Sequence, residues 1–197
     1  MLNSNPGPLA GFLETRKLAT ATLFGVVIAV VKAPFTFPIT DYLIIVEVPI
    51  LALSFLLLGR GGATYTGLVN GAIQSVFKAG LFPYDLIFAA SYGLLVDLFG
   101  TVLDARVEGK TSTTRLAAAL GLASTVLGVS IAYVFLALNL STGIDLSHYS
   151  TTDLVEIVYI PIVAWGIISG TLGGFISARL WERNLRSRFR TIQAQVA

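Results

Sequence analysis

Residues Thr20–Val30 read TATLFGVVIAV, an apolar run in which Ala21, Gly25 and Ala29 recur at every fourth position. An α-helix places residues four apart on nearly one line, so this strip would carry almost no side-chain bulk. The apolar character predicts a helix in lipid, and the strip predicts close contact with another helix. The spacing alone leaves open whether that helix belongs to the same chain or to a partner.

The whole chain shares the apolar character of this stretch. Of its 197 residues, 55% are hydrophobic and 12% are charged, and the mean hydropathy is +0.81. A soluble domain carries roughly 25% charged residues, so these charges are too few to cover a surface that faces water. We therefore expect an all-α, polytopic integral membrane protein with a single domain over residues 1–197.

Apolar runs of suitable length predict six transmembrane helices, since a helix needs about 20 residues to cross a bilayer. The first two runs are short, which predicts thinned membrane, buried helix ends or adjoining re-entrant segments there. The N-terminus has no basic segment ahead of an apolar core, so we expect no cleaved signal peptide. The six runs cover approximately residues 18–34, 43–58, 63–81, 85–103, 116–140 and 154–181.

Cationic residues indicate the orientation of these helices, because loops rich in Lys and Arg translocate poorly. With the N-terminus inside, only Lys32 and Lys78 of the 13 Lys and Arg residues lie towards the outside. Both termini are therefore expected to be cytoplasmic in a multi-pass protein of the cell membrane. The basic tail RNLRSRFR is interpreted as an anchor at anionic lipid headgroups, not as a contact to nucleic acid.

Ionisable side chains cluster in the outer part of the predicted helices, with aromatic residues beside them. Because charges are expensive in lipid, such residues usually face protein or a cavity. A pocket with both charge signs and aromatic rings suits a zwitterion or a polar heterocycle, although mutual pairing or snorkelling is an alternative. The segment KAPFTFPITDY is expected to cover this pocket. The candidate lining residues are Lys32, Glu47, Gln74, Lys78, Tyr84, Asp85, Tyr92, Glu156 and Tyr159.

Other polar residues suggest no catalysis. Asp97, near the inner side, is predicted to have a structural role and to pair with Arg60 or Arg106. His148 is the single histidine and the chain has no cysteine, so we expect a solvated histidine and no transition-metal site. The sequence lacks a phosphate-binding loop, an H-E-x-x-H motif and a G-x-S-x-G motif, which favours a protein that is not an enzyme and has no cofactor.

The order of these segments resembles the S component, the substrate-binding membrane subunit of energy-coupling factor transporters. The resemblance starts at Arg16 and Lys17, which lead into LATATLFGVVIAV, and continues through APFTFPITD. It extends through the glycine-rich turn of VPILALSFLLLGRGGATYTGLVNGAI. It ends with PYDLIFAASYGLLVDLFG and GIISGTLGGFISARL.

This resemblance implies six helices, cytoplasmic termini and a vitamin or similar micronutrient bound near the outer face. It implies two kinds of partner, a transmembrane T subunit and a pair of ABC ATPases. It further implies that Ala21, Gly25 and Ala29 form the surface on which the T subunit docks. The alternative function is a non-transporting accessory subunit of a larger membrane complex, in which the strip and the buried charges serve assembly.

Overall fold

The computed structural model describes residues 8–35, 39–78, 83–107, 110–138, 153 and 155–185. Two π-helical turns, Val155–Tyr159 and Trp181–Leu185, flank the last helix, and the short strands β1 (Arg106–Val107) and β2 (Lys110–Thr111) pair antiparallel. The described residues form seven α-helices: α1 (Pro8–Lys32), α2 (Ile39–Tyr42), α3 (Ile44–Leu58), α4 (Gly62–Phe77), α5 (Tyr84–Val102), α6 (Thr113–Leu138) and α7 (Ile160–Leu180).

The predominantly helical fold predicted from the sequence is confirmed for these residues. Three helices are long and apolar enough to cross a membrane, Tyr84–Val102, Thr113–Val134 and Ile160–Leu185, and Ile44–Leu58 is a shorter apolar helix. The crossing count of six stays a prediction. One helix boundary differs clearly, because α1 begins at Pro8, not near residue 18. Hydropathy locates only the apolar part of a helix. The polar residues before it can form the same backbone hydrogen bonds, so the helix extends beyond the apolar run.

Helices α4 and α5 run antiparallel and approach closely at glycines. Ala63, Gly67 and Gly71 of α4 meet Gly93, Ala89 and Leu86 of α5, so residue numbers rise along one helix as they fall along the other. A Cβ atom at Gly67 would collide with the Ala89 carbonyl oxygen. Glycine therefore permits backbone contact here, which is the main way that helices associate in lipid.

Helix α3 lies at the centre of the bundle. It contacts α1, α4, α5, α6 and α7, and its buried residues include Val48, Leu51, Ala52 and Leu56. This position explains how a helix of 15 residues fits the fold. Protein, not lipid, surrounds most of it, so its length need not match the thickness of a bilayer.

The small-residue strip of α1 packs inside this chain, against α4. Ala21 and Ala29 are completely buried, and a Cβ atom at Gly25 would lie 2.7 Å from Val69 Cβ. The hydroxyl of Thr66 donates a hydrogen bond to the Ala21 carbonyl oxygen (3.3 Å). The intrachain alternative is thus the one observed. It corrects the docking prediction, because a strip buried under α4 offers no surface to a T subunit.

The predicted partners of Asp97 are also corrected. Its carboxylate accepts hydrogen bonds from the backbone N–H groups of Ala63 (3.2 Å) and Thr64 (2.8 Å) and from the Thr64 hydroxyl (2.6 Å). Arg106 instead donates to the Leu56 carbonyl oxygen. Asp97 therefore caps the N-terminus of α4, where the helix dipole and unpaired N–H groups stabilise a negative charge.

Candidate functional site

One end of the bundle contains a cavity of about 80 Å³, which has room for roughly five water molecules or a small polar molecule. The ends of α1 and α4, the starts of α3, α5 and α7, the helix α2 and the middle of α6 all contribute to it. Among the described residues, its lining is Lys32, Thr40, Asp41, Ile44, Glu47, Gln74, Lys78, Tyr84, Asp85, Phe88, Ala89, Tyr92, Ser124, Leu127, Gly128, Ile131, Ile162 and Gly166.

A continuous chain of hydrogen bonds runs along one side of the cavity. The Lys32 ammonium donates to Glu47 Oε2 at 2.6 Å, and Asn70 Nδ2 donates to Glu47 Oε1 at 3.1 Å. Gln74 Nε2 then donates to Asn70 Oδ1 (2.6 Å), and Lys78 Nζ donates to Gln74 Oε1 (3.4 Å). Both oxygens of Glu47 are therefore paired, which stabilises a buried charge.

Lys78 joins the helix α2 to this series of hydrogen bonds. Lys78 Nζ donates to Thr40 Oγ1 at 3.1 Å, and the Thr40 hydroxyl donates to the Phe35 carbonyl oxygen at 2.7 Å. The segment after α1 was predicted to cover the pocket, and its residues Thr40 and Asp41 do line the cavity. Residues 36–38 of that segment lie outside the described part of the chain.

Two carboxylates of the lining differ from Glu47 because they have an unpaired oxygen. Asp41 Oδ2 and Asp85 Oδ2 are buried and have no hydrogen-bond partner among the described residues. Burial raises the pKa of Asp41 to about 6, against the opposing effect of the nearby Lys32 charge. A buried carboxylate oxygen without a donor is unfavourable, and both side chains line the cavity.

Aromatic side chains form much of the remaining lining. Tyr84 and Phe88 lie on the first turns of α5, and Tyr92 follows one turn deeper. The Tyr92 hydroxyl pairs with Ser124 Oγ at 2.6 Å, and both side chains are completely buried. This pair joins α5 to α6 at the bottom of the cavity. The rings of Tyr84 and Phe88 are only half-buried and are the ones available for stacking.

Seven of the nine predicted lining residues lie together around this cavity: Lys32, Glu47, Gln74, Lys78, Tyr84, Asp85 and Tyr92. That they bind a ligand stays a prediction. Glu156 is exposed, and Tyr159 is buried against Ile162 beside the cavity but is not part of its lining. These two residues belong to the π-helical turn Val155–Tyr159. In a π-helix, residues three apart do not share a face as they do in an α-helix. The prediction assumed an α-helix there.

Sequence reasoning missed four polar residues near the cavity. Asn70 precedes Gln74 by one helical turn, so the i, i+4 rule would have placed it on the same face. Thr40 and Asp41 follow a proline-bearing segment, in which the sequence does not indicate which way a side chain points. Ser124 lies in a largely apolar helix in which Thr125 and Ser130 are equally polar. The glycosylation tripeptide at Asn139 and the single histidine, His148, lie outside the described residues.

No group of three or more His, Cys, Asp or Glu side chains within the described ranges could hold a metal ion. Comparisons of the chain with protein-family models, with curated proteins and with solved structures give no match.

Proposed function

We propose that this protein is the substrate-capturing membrane subunit of an uptake transporter of the energy-coupling factor type. In this proposal it crosses the cell membrane six times with both termini cytoplasmic, and it binds a vitamin or similar small micronutrient. The observation that carries the proposal is the cavity, which combines two lysines, three carboxylates and three aromatic rings at one end of the bundle. The distribution of Lys and Arg predicts that this end faces outwards.

The unpaired oxygens favour a ligand site over purely structural polar contacts. Elsewhere among the described residues, the pair Ser54–Thr66 (2.7 Å) and the cap made by Asp97 show buried polar groups with partners. The exceptions outside the cavity, Thr111 Oγ1 and Ser169 Oγ, are neutral hydroxyls, whose burial is less costly than that of a charged group. In the cavity, the buried oxygens of Asp41 and Asp85 have no such partner. Mostly apolar pockets with a few converging polar groups are typical of small-molecule sites.

Transport against a gradient requires an energy source. The sequence has no phosphate-binding loop, so the proposal includes a transmembrane T subunit and a pair of ABC ATPases as partners. The small-residue strip of α1 is not proposed as their docking surface, because it is buried under α4.

The decisive experiment is native mass spectrometry of the protein, extracted gently from its own membrane. A bound small molecule together with copurifying ATPase and T-type subunits would establish the proposal. A fixed assembly with unrelated membrane subunits and no small molecule would contradict it. The latter result would support the accessory function, for which the internally paired Lys32–Glu47 bridge is the favouring observation.

A further inference from the structure

We propose that the ligand carries a nitrogen group that is cationic or donates several N–H bonds, and that Asp41 and Asp85 bind this group. The inference rests on the proposed function and specifies its substrate class. It starts from the two buried carboxylate oxygens that have no donor among the described residues. An ionised carboxylate can accept hydrogen bonds but cannot donate them, so its missing partner must be a donor.

The charges of the lining support a cationic group. Lys32 and Glu47 neutralise each other at 2.6 Å. The charged side chains that remain are Lys78, Asp41 and Asp85, which together carry one net negative charge when both acids are ionised. An anionic ligand would add to this excess, whereas a cation would remove it.

The hydrogen bonds that the lining Lys and Gln side chains make are directed at groups other than Asp41 and Asp85. Lys78 uses two of its three N–H bonds on Thr40 and Gln74. The Gln74 amide donates to Asn70, and the Lys32 ammonium donates to Glu47. None of these groups reaches Asp41 Oδ2 or Asp85 Oδ2. A ligand donor would satisfy both oxygens and relieve their desolvation.

The aromatic part of the lining indicates what the rest of the ligand is like. Tyr84, Phe88 and Tyr92 present aromatic rings to the same cavity as the two carboxylates, and such rings attract a desolvated organic cation as well as a flat ring. The third N–H of Lys78 is available to an acceptor on the ligand. The class that fits all these features is a small amine or amino-heterocycle with a hydrogen-bond acceptor.

An inorganic cation fits less well. Divalent ions need several oxygen ligands, and no cluster of three acidic or histidine side chains suitable for a metal occurs among the described residues. The aromatic walls would contribute nothing to such an ion's coordination. An organic cation uses both the carboxylates and the rings.

The test identifies the molecule that copurifies with the wild-type protein by accurate mass. Protein from native membranes is analysed directly and again after incubation with a small-molecule extract of the same cells. The expected ligand contains a basic or multiply N–H-bearing nitrogen. A ligand without such a nitrogen, or an inorganic cation, would overturn the inference. This measurement uses only the wild-type protein, so it does not depend on whether a variant folds.

Three variants then locate the nitrogen group. Asp41→Asn and Asp85→Asn are each expected to retain at least tenfold less ligand than wild type, while the unfolding temperature of the ligand-free protein stays equal or rises. Asp104→Asn is the matched control, because Asp104 is exposed beyond the opposite end of α5 and has a positive φ that Asn tolerates. Wild-type retention in both cavity variants would refute the assigned residues.

Different results would contradict the proposed function and the assignment of the nitrogen group. A bound molecule without the nitrogen group, found together with ATPase and T-type subunits, contradicts the inference and leaves the proposed function standing. No bound small molecule under either condition, with no energising subunits, contradicts the proposed function and the inference together.

Discussion

The Lys32 ammonium lies 2.6 Å from Glu47 Oε2 and thereby joins the end of α1 to the start of α3. Both side chains are largely buried, with 12% and 3% of their surfaces exposed. Burying such a pair is favourable only when the geometry is good and the other lone pairs are satisfied. Asn70 provides the second hydrogen bond to Glu47, so the pair is a fixed element of the cavity wall.

Replacing Glu47 alone should therefore destabilise the protein strongly. Glu47→Gln leaves the Lys32 charge buried without its partner, and breaking a buried pair costs about 3 kcal/mol or more. We expect the unfolding temperature in detergent to fall by roughly 6 °C or more. The double variant Lys32→Met/Glu47→Gln should recover much of this loss. Equal stability of the single variant and wild type would show that the bridge contributes little.

The strip of α1 gives a prediction about packing. Gly25→Ala places a methyl group 2.7 Å from Val69 Cβ and 2.9 Å from the Thr66 carbonyl oxygen, so we expect a loss of about 1–3 kcal/mol from overpacking. Gly128→Ala is the matched control, because its new Cβ would meet Val163 at an ordinary 3.5 Å. Thermal unfolding of both variants checks this. A stable Gly25→Ala protein would mean that α1 does not pack on α4 as described.

The cap of α4 gives a second stability prediction. Asp97→Ala removes three hydrogen bonds from Ala63 and Thr64, and losing a charged helix cap costs about 1–2 kcal/mol. The exposed Arg60, predicted from sequence as a partner of Asp97, serves as the control. Arg60→Ala should change the unfolding temperature by much less than Asp97→Ala. Equal losses of stability in the two variants would instead support an ion pair between Asp97 and Arg60.

Asp41 gives a prediction about pH. Its pKa in the folded protein, about 6, lies above the ordinary value of 3.8, so the folded state binds its proton more tightly than the unfolded state does. The corresponding stabilisation is complete below about pH 3.8 and disappears as the pH rises through about 6. Ligand-free wild type should therefore unfold at a higher temperature at pH 5 than at pH 7.5.

The variant Asp41→Asn isolates this contribution. It should show a weaker dependence of unfolding temperature on pH over the same interval and should be at least as stable as wild type at pH 7.5. Asp104→Asn, at an exposed aspartate beyond the opposite end of α5, is the control for the loss of one carboxylate. An unchanged pH profile in Asp41→Asn would assign the dependence to another group.

Lys78 connects stability and ligand retention. Lys78→Met removes the hydrogen bonds to Thr40 and Gln74 and the cation that faces Asp85. We expect retention of the copurified ligand to fall more than tenfold if Lys78 contacts an acceptor on that molecule. Lys17→Met, at the opposite end of the bundle, should keep wild-type retention. Native mass spectrometry measures both, and equal retention would remove Lys78 from the site.

Much of the cavity could be predicted from sequence because one physical rule applies to isolated charges. A Lys, Glu or Asp in an apolar helix must face protein or a cavity. Its position along the helix indicates how deep in the membrane it lies. That reasoning brought Lys32, Glu47, Lys78 and Asp85 to one end of the bundle before any contact was known. The rule fails where helix geometry changes, as at Glu156 in the π-helical turn.

The amino-acid sequence by itself determined the helical class and the positions of its long apolar helices, because apolar runs and glycine spacing act locally along the chain. Only the tertiary structure decided which surfaces meet. The spacing of Ala21, Gly25 and Ala29 is equally suited to a partner and to α4, and the contact with Val69 and Thr66 selected α4. Likewise, Asp97 binds the N-terminus of α4, not an arginine, because the tight turn after α3 brings those N–H groups within 3.2 Å of its carboxylate.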